Sequence, residues 1–226
     1  MKKRTDSYPL YFAAAVKAYE VLASTAIDKL PVDLEKVCKH YNIRVYYFSQ
    51  ATEIIELFEL QRFCDANNCF CFCPDGKTNL ILVDDNLNKK EQRLMIAHEL
   101  GHILMDHLTL YNTEISSGMK EYYEMEADMF ALTLLAPIPI LSAIKTPNKH
   151  YTSTICDIPW YVANVVHTLL QNYTYNNAYT QIAKYIIKLL QSFYDFIIQQ
   201  TEVRTYGEAC SYLYSCKFPR TSPRRI

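Results

Sequence analysis

The sequence predicts an α+β fold, on three observations. Three short segments rich in branched and aromatic residues fall between residues 43 and 83 and read as strands. Stretches on both sides carry apolar residues at helical spacing. Half of the 226 residues are apolar, 21% are charged, and only 4 are glycine and 9 proline, a globular composition rather than a disordered or collagenous one.

The elements follow in order. Residues 8–25 have helical apolar spacing and form a first helix. Pro31 opens a second, with Val32, Leu34, Val37 and Cys38 inward and His40, Tyr41 and Asn42 closing it. Ile43 to Phe48 reads as a strand, and 51–63 fits helix and strand equally. Cys69 to Cys73 and Asn79 to Val83 read as two strands joined by a turn at Pro74-Asp75-Gly76-Lys77. Asn88 is a good N-cap with Glu91 three residues on, so a helix is expected from there to about His107. A further helix spans Glu121 to Leu135 and stops at Pro137 and Pro139. Pro159 starts another through Leu170, and residues 178–199 show a strong amphipathic pattern. Candidate boundaries are the loop 145–157 and the polar stretch 171–178. The expected division is a main domain over 1–170 and a helical extension over 171–226, packed on the same domain.

Charge and composition exclude several functions. The formal net charge is −1, so no global field draws the chain to nucleic acid or anionic lipid. No Lys or Arg lies between Thr152 and Leu170, which counts against a DNA-reading helix pair there. Asp6, Pro9, Lys17 and Glu20 interrupt any apolar stretch after the basic first residues, so no secretory signal is expected. The longest apolar segment, Ala131 to Ile144, carries two prolines and is too short to span a bilayer. A cytoplasmic protein is expected, with its eight cysteines reduced.

The chemistry lies in His98-Glu99-Leu100-Gly101-His102. Histidines four apart on a helix project from one face about 40° apart. That lets both coordinate one tetrahedral zinc ion. Glu99 is rotated off the ligand direction and can serve as general base toward a metal-activated water. Gly101 is one of four glycines in the chain. A mid-helix glycine costs about 1 kcal/mol relative to alanine, so another element is expected to approach closely there.

The third ligand is open at this level. A metzincin would place a histidine where Leu108 stands, and His107 lies half a helical turn from the His98 face, which suits a surface position or one behind the ligands. The acidic helix offers Glu121, Glu124, Glu126 and Asp128. Its apolar stripe through Met125, Met129 and Leu132 favours Glu126, but spacing does not decide among the four.

Three stretches together resemble the ImmA/IrrE family of metallopeptidases: Thr78 to Leu87, Gln92 to His107 with its Ala-His-Glu-Leu-Gly-His core, and Glu126-Ala-Asp-Met-Phe-Ala running to Leu134-Leu135-Ala136-Pro137. The resemblance covers residues 28–137 well and 138–170 loosely. Asp128 stands where the family usually has asparagine. It implies His98, His102 and Glu126 as zinc ligands and Glu99 as catalytic base. It also implies a small zincin-like fold, a short twisted sheet packed on the motif helix. The expected activity is site-specific cleavage of a helix-turn-helix transcriptional repressor, of the mobile-element or stress-response type. The alternative is a binding module or anti-repressor that sequesters its partner without hydrolysis.

Two weaker patterns remain. Cys69, Cys71 and Cys73 would share one face of a strand, with Phe70 and Phe72 on the other. Successive positions about 6.6–7 Å apart are too far for three thiolates to grip one ion, so buried free thiols are the better reading. Tyr111, Tyr122 and Tyr123 are candidate hydrogen-bond donors to a tetrahedral intermediate, and structural roles fit them better.

Overall fold

The computed structural model describes residues 8–107, 117–146, 148–171 and 179–201. Its centre is a three-stranded sheet in the order β1-β3-β2. Strand β1 (Ile43–Tyr47) runs parallel to β3 (Asn79–Val83), and β2 (Cys69–Phe72) runs antiparallel to it. Side chains alternate by strand geometry. Ile43, Val45, Cys69, Cys71, Ile81 and Val83 face the main core. Tyr46, Phe70, Phe72, Leu80 and Leu82 face a smaller second one. The expected cysteine face and phenylalanine face of β2 are both present.

The ambiguous stretch 51–63 folds as two short helices, α3 (Thr52–Leu57) and α4 (Gln61–Ala66). Ile55, Leu60 and Cys64 close the second core over the sheet. On the other side lie α1 (Tyr8–Ser24), α2 (Leu34–His40), α5 (Lys89–Leu104) and α6 (Ser117–Leu135). Helix α2 starts later than Pro31 suggests, because Asp33 caps it by accepting from the Lys36 amide.

The link from β3 to α5 is short and pinned. Asp85 accepts from the Ser49 amide and hydroxyl, Asp84 accepts from the Asn86 amide, and Gln92 donates to the Asp84 carbonyl. Asn88 then caps α5, accepting from the amides of Lys90 and Glu91, both at 3.1 Å. Helix α5 ends at Leu104, three residues before the expected His107. Asp106 takes a left-handed conformation (φ 65°) there and turns the chain, which a short polar side chain tolerates.

Helices α5 and α6 pack on one another, and α1 packs against α6. Helix α6 begins four residues before the expected Glu121. Its buried residues are Tyr123, Glu126, Ala127, Phe130, Ala131, Thr133, Leu134 and Leu135, while Met125 is exposed and Met129 and Leu132 are half-buried. The apolar stripe is therefore rotated from the expected one.

Two short helices arise that the sequence did not predict, one of them where a loop was expected. Pro137 and Pro139 end α6 but also open α7 (Ile138–Ala143), since proline fits a helix's first turn. Within the 145–157 loop, Asn148 caps α8 (Lys149–Ile155). Helix α9 (Trp160–Gln171) follows, and Cys156 and Ile158 between them are fully buried. The long amphipathic stretch is broken into α10 (Tyr179–Ser192) and α11 (Tyr194–Thr201). Leu189 and Ile197 of these helices, and Phe193 between them, join the same core cluster as Leu22 and Phe130. The span 117–143 is apolar enough to cross a membrane by length and composition, but 72% of its apolar window is buried inside the fold. Cys38, Cys64, Cys69, Cys71, Cys73 and Cys156 are free thiols.

Candidate metal centre

Gly101 determines how the centre is assembled. A β-carbon built there would lie 2.9 Å from Ala127 Cα and 3.2 Å from Ala127 O, closer than real β-carbon contacts allow. Glycine lets the backbone of α6 touch α5, which is the close approach its mid-helix position suggests. Residues flanking Ala127 on α6 are thereby pressed against residues flanking Gly101 on α5.

The result is a tight group of donors. His98 Nε2 and His102 Nε2 are 3.0 Å apart. Glu124 Oε2 lies 3.3 Å from the first and 3.6 Å from the second. Among the described residues, His98, His102 and Glu124 form a group able to hold a metal ion. The separations fit a tetrahedral ion, whose ligands at about 2.0–2.1 Å stand about 3.4 Å from one another. Two imidazole nitrogens and one carboxylate oxygen are the donor set of a catalytic zinc site, which leaves a fourth position open.

His98 is held by a second carboxylate from α6. Its Nδ1 lies 2.9 Å from Asp128 Oδ1. A carboxylate only accepts, so Nδ1 carries the hydrogen and Nε2 offers its lone pair in the neutral ring. Burial alone would lower the His98 pKa. The hydrogen bonds to Asp128 and Glu124 and the charge of Glu99 outweigh it and raise the value to about 9. A proton thus stands where carboxylates have gathered around a position suited to a cation.

Glu99 is nearly buried, 9% exposed. It lies close enough to β2 for its charge to act on the Cys71 thiol. Burial and the Glu99 charge push the Cys71 thiol well above its ordinary value, and Cys69 is raised for the same two reasons. Both thiols stay protonated and neutral.

Glu126, expected third from the family resemblance, is elsewhere. Two residues along a helix rotate by about 200°, so Glu126 leaves α6 on a different side from Glu124. Its Oε2 lies 3.3 Å from His107 Nε2, and its Oε1 accepts from the Tyr122 hydroxyl at 2.8 Å. His107 is buried rather than on the surface, with its ring stacked on Tyr123 at 4.5 Å between centroids. Burial, then the nearby His102, lowers the His107 pKa despite the Glu126 carboxylate. Tyr122 and Tyr123 thus lie beside Glu126 and His107, and Tyr111 falls outside the described residues. The sequence signal for the observed arrangement was Glu124-x-x-x-Asp128, two carboxylates one helical turn apart on one face.

The rim carries one further contact. Tyr161 at the start of α9 donates to Glu91 Oε2 at 2.8 Å. Glu91, expected to complete a capping box, therefore bridges α5 to α9.

Comparison with known proteins gives the family. The family model of the IrrE N-terminal-like domain, Peptidase_M78, matches residues 38–166, more than half the chain. An "uncharacterized immunity region protein 2" of Bacillus phage phi105 is 32% identical over 80 residues, which are 34% of this chain and 49% of that protein. The chain thus spans about half the length of that relative.

Proposed function

The chain belongs to the Peptidase_M78 family of IrrE N-terminal-like domains, and on that footing we propose that it is a zinc-dependent endopeptidase acting in the cytoplasm on a helix-turn-helix transcriptional repressor. The observation that carries this reading is the convergence of His98 Nε2, His102 Nε2 and Glu124 Oε2 on one point beside a nearly buried Glu99. The proposed ligands are His98, His102 and Glu124, with Glu99 as the base. The repressor is supported more distantly, by the family and by a relative whose name places it in a phage immunity region.

Zinc held by these ligands would supply a Lewis acid for both the scissile carbonyl and the attacking water. Glu99 takes the proton of that water as it attacks, then returns it to the departing amine. Asp128 keeps the His98 hydrogen on Nδ1.

Glu99→Gln tests the mechanism. The variant keeps its metal and its fold, measured by elemental analysis and thermal denaturation, and loses cleavage of the cognate repressor by at least a hundredfold. Cleavage at the wild-type rate would sink the assignment. A repressor released at full length by wild-type protein would favour the non-hydrolytic anti-repressor instead.

A further inference from the structure

Behind the metal centre lies a chain of polar groups that the proposed chemistry leaves unused. His102 Nδ1, the nitrogen facing away from His98, is 3.1 Å from His107 Nδ1. His107 Nε2 is 3.3 Å from Glu126 Oε2, and Tyr122 donates to Glu126 Oε1. His102, His107, Glu126 and the Tyr123 ring stacked on His107 are all buried. Polar groups cost free energy when buried unless each is hydrogen-bonded, so this chain persists only if its hydrogens are ordered.

Counting hydrogens gives one order for neutral rings. A carboxylate only accepts, so His107 Nε2 carries a hydrogen and donates it to Glu126. The neutral His107 ring then presents a lone pair at Nδ1. His102 must therefore donate from Nδ1, which leaves its own lone pair on Nε2, the atom beside His98 Nε2 and Glu124 Oε2. Glu126 thus sets the tautomer of His102 through an intervening imidazole, as Asp128 does for His98 directly.

We propose that His107 and Glu126 are a positioning pair that holds His102 in the metal-binding tautomer and ring orientation. This inference rests on the metal reading of His98, His102 and Glu124. The stack on Tyr123 fixes the His107 ring plane, and the Tyr122 hydroxyl occupies the second oxygen of Glu126. His107 meets His102 at Nδ1, not at the proposed ligand atom Nε2, so the pair bears on the site through the His102 ring. Partners of this kind behind a metal ligand are typically worth about 10–100-fold in metal affinity.

The test uses the full chain stripped of metal and titrated with zinc against a chromophoric chelator. His107→Phe keeps a ring against Tyr123 and removes both hydrogen bonds. It should weaken zinc binding by about 10–100-fold. His107→Gln offers a carbonyl to accept from His102 and an amide to donate to Glu126, and should recover most of that loss. Nitrogen-15 NMR of the wild type should show His102 with its hydrogen on Nδ1, and His107→Phe should show a mixture of tautomers. Zinc affinity within twofold of wild type in a folded His107→Phe protein would overturn the proposal. So would equal losses in Phe and Gln, since simple packing damage predicts no rescue by the amide. Wild-type protein that binds no zinc would remove the metal reading itself, a result distinct from these two.

Discussion

The two histidines of the motif are one helical turn apart and are supported in opposite surroundings. His98 leans on Asp128, whose side chain is 75% exposed. His102 leans on His107 and, beyond it, on Glu126, whose side chain is 8% exposed. The hydrogen-bond logic is the same, since a carboxylate takes the hydrogen of the nitrogen that does not face the metal site. At the rim, water can replace a lost acceptor. In the interior nothing can, and a partner left alone there keeps its full desolvation cost. The support of His98 is therefore replaceable by water and that of His102 is not.

The comparison can be broken first at the ligands themselves. Glu124→Ala should lower metal content from near one zinc per chain to a small fraction of that, measured by elemental analysis after dialysis. Glu126→Ala should keep zinc stoichiometry near one when zinc is in excess and bind it more weakly. If the two results were exchanged, Glu126 would be the ligand and the two sides of α6 would have traded roles. Next is the joint between the helices. Gly101→Ala drives a methyl group into the Ala127 backbone, and such overpacking costs about 1–3 kcal/mol. Part of this is offset by about 1 kcal/mol of better helix propensity. The larger consequence is that α6 moves off α5, so zinc affinity should fall more than stability does. Chemical denaturation and zinc titration of the same sample separate the two.

Smaller effects sharpen the contrast. Asp128→Ala, at the exposed support, should weaken zinc binding by about tenfold, the low end of the range for such partners. A loss as large as that of His107→Phe would erase the distinction between rim and interior. Tyr161→Phe removes one hydroxyl from the Glu91 contact and should change stability by less than about 1 kcal/mol, read from the denaturation midpoint.

What was legible in the sequence was local. Asn88, the His98–His102 spacing and Gly101 each state their role within one or two helical turns, and α5 forms around them as expected. The alternation of β2 was equally plain, because strand period and residue type agree. The third ligand was different. It depends on how α6 is rotated against α5, which is decided by the contact between Gly101 and Ala127, residues 26 positions apart. Periodicity favoured Glu126 as the buried acid of α6, and Glu126 is indeed buried. The acid that the structure brings beside His98 and His102 is Glu124, at the border of the buried stripe, with its side chain 54% exposed. The helices at 138–143 and 149–155 were hidden for another reason. Prolines that stop one helix also start the next, and a polar loop composition is shared by short capped helices.

The pinned link between β3 and α5 makes that helix a lever. From its cap at Asn88 to His102 it is about 21 Å long, at 1.5 Å per residue. A swing of only about 5° at the cap would carry His102 sideways by nearly 2 Å, about the length of a zinc–nitrogen bond. The ties of Asp85 to Ser49 and of Gln92 to Asp84 clamp the fulcrum, and Ala127 blocks the far end where the arc is widest. Adding a single residue between Asp84 and Asn88 would release the fulcrum without altering any ligand, leaving a complete set of metal-binding side chains aimed at different points.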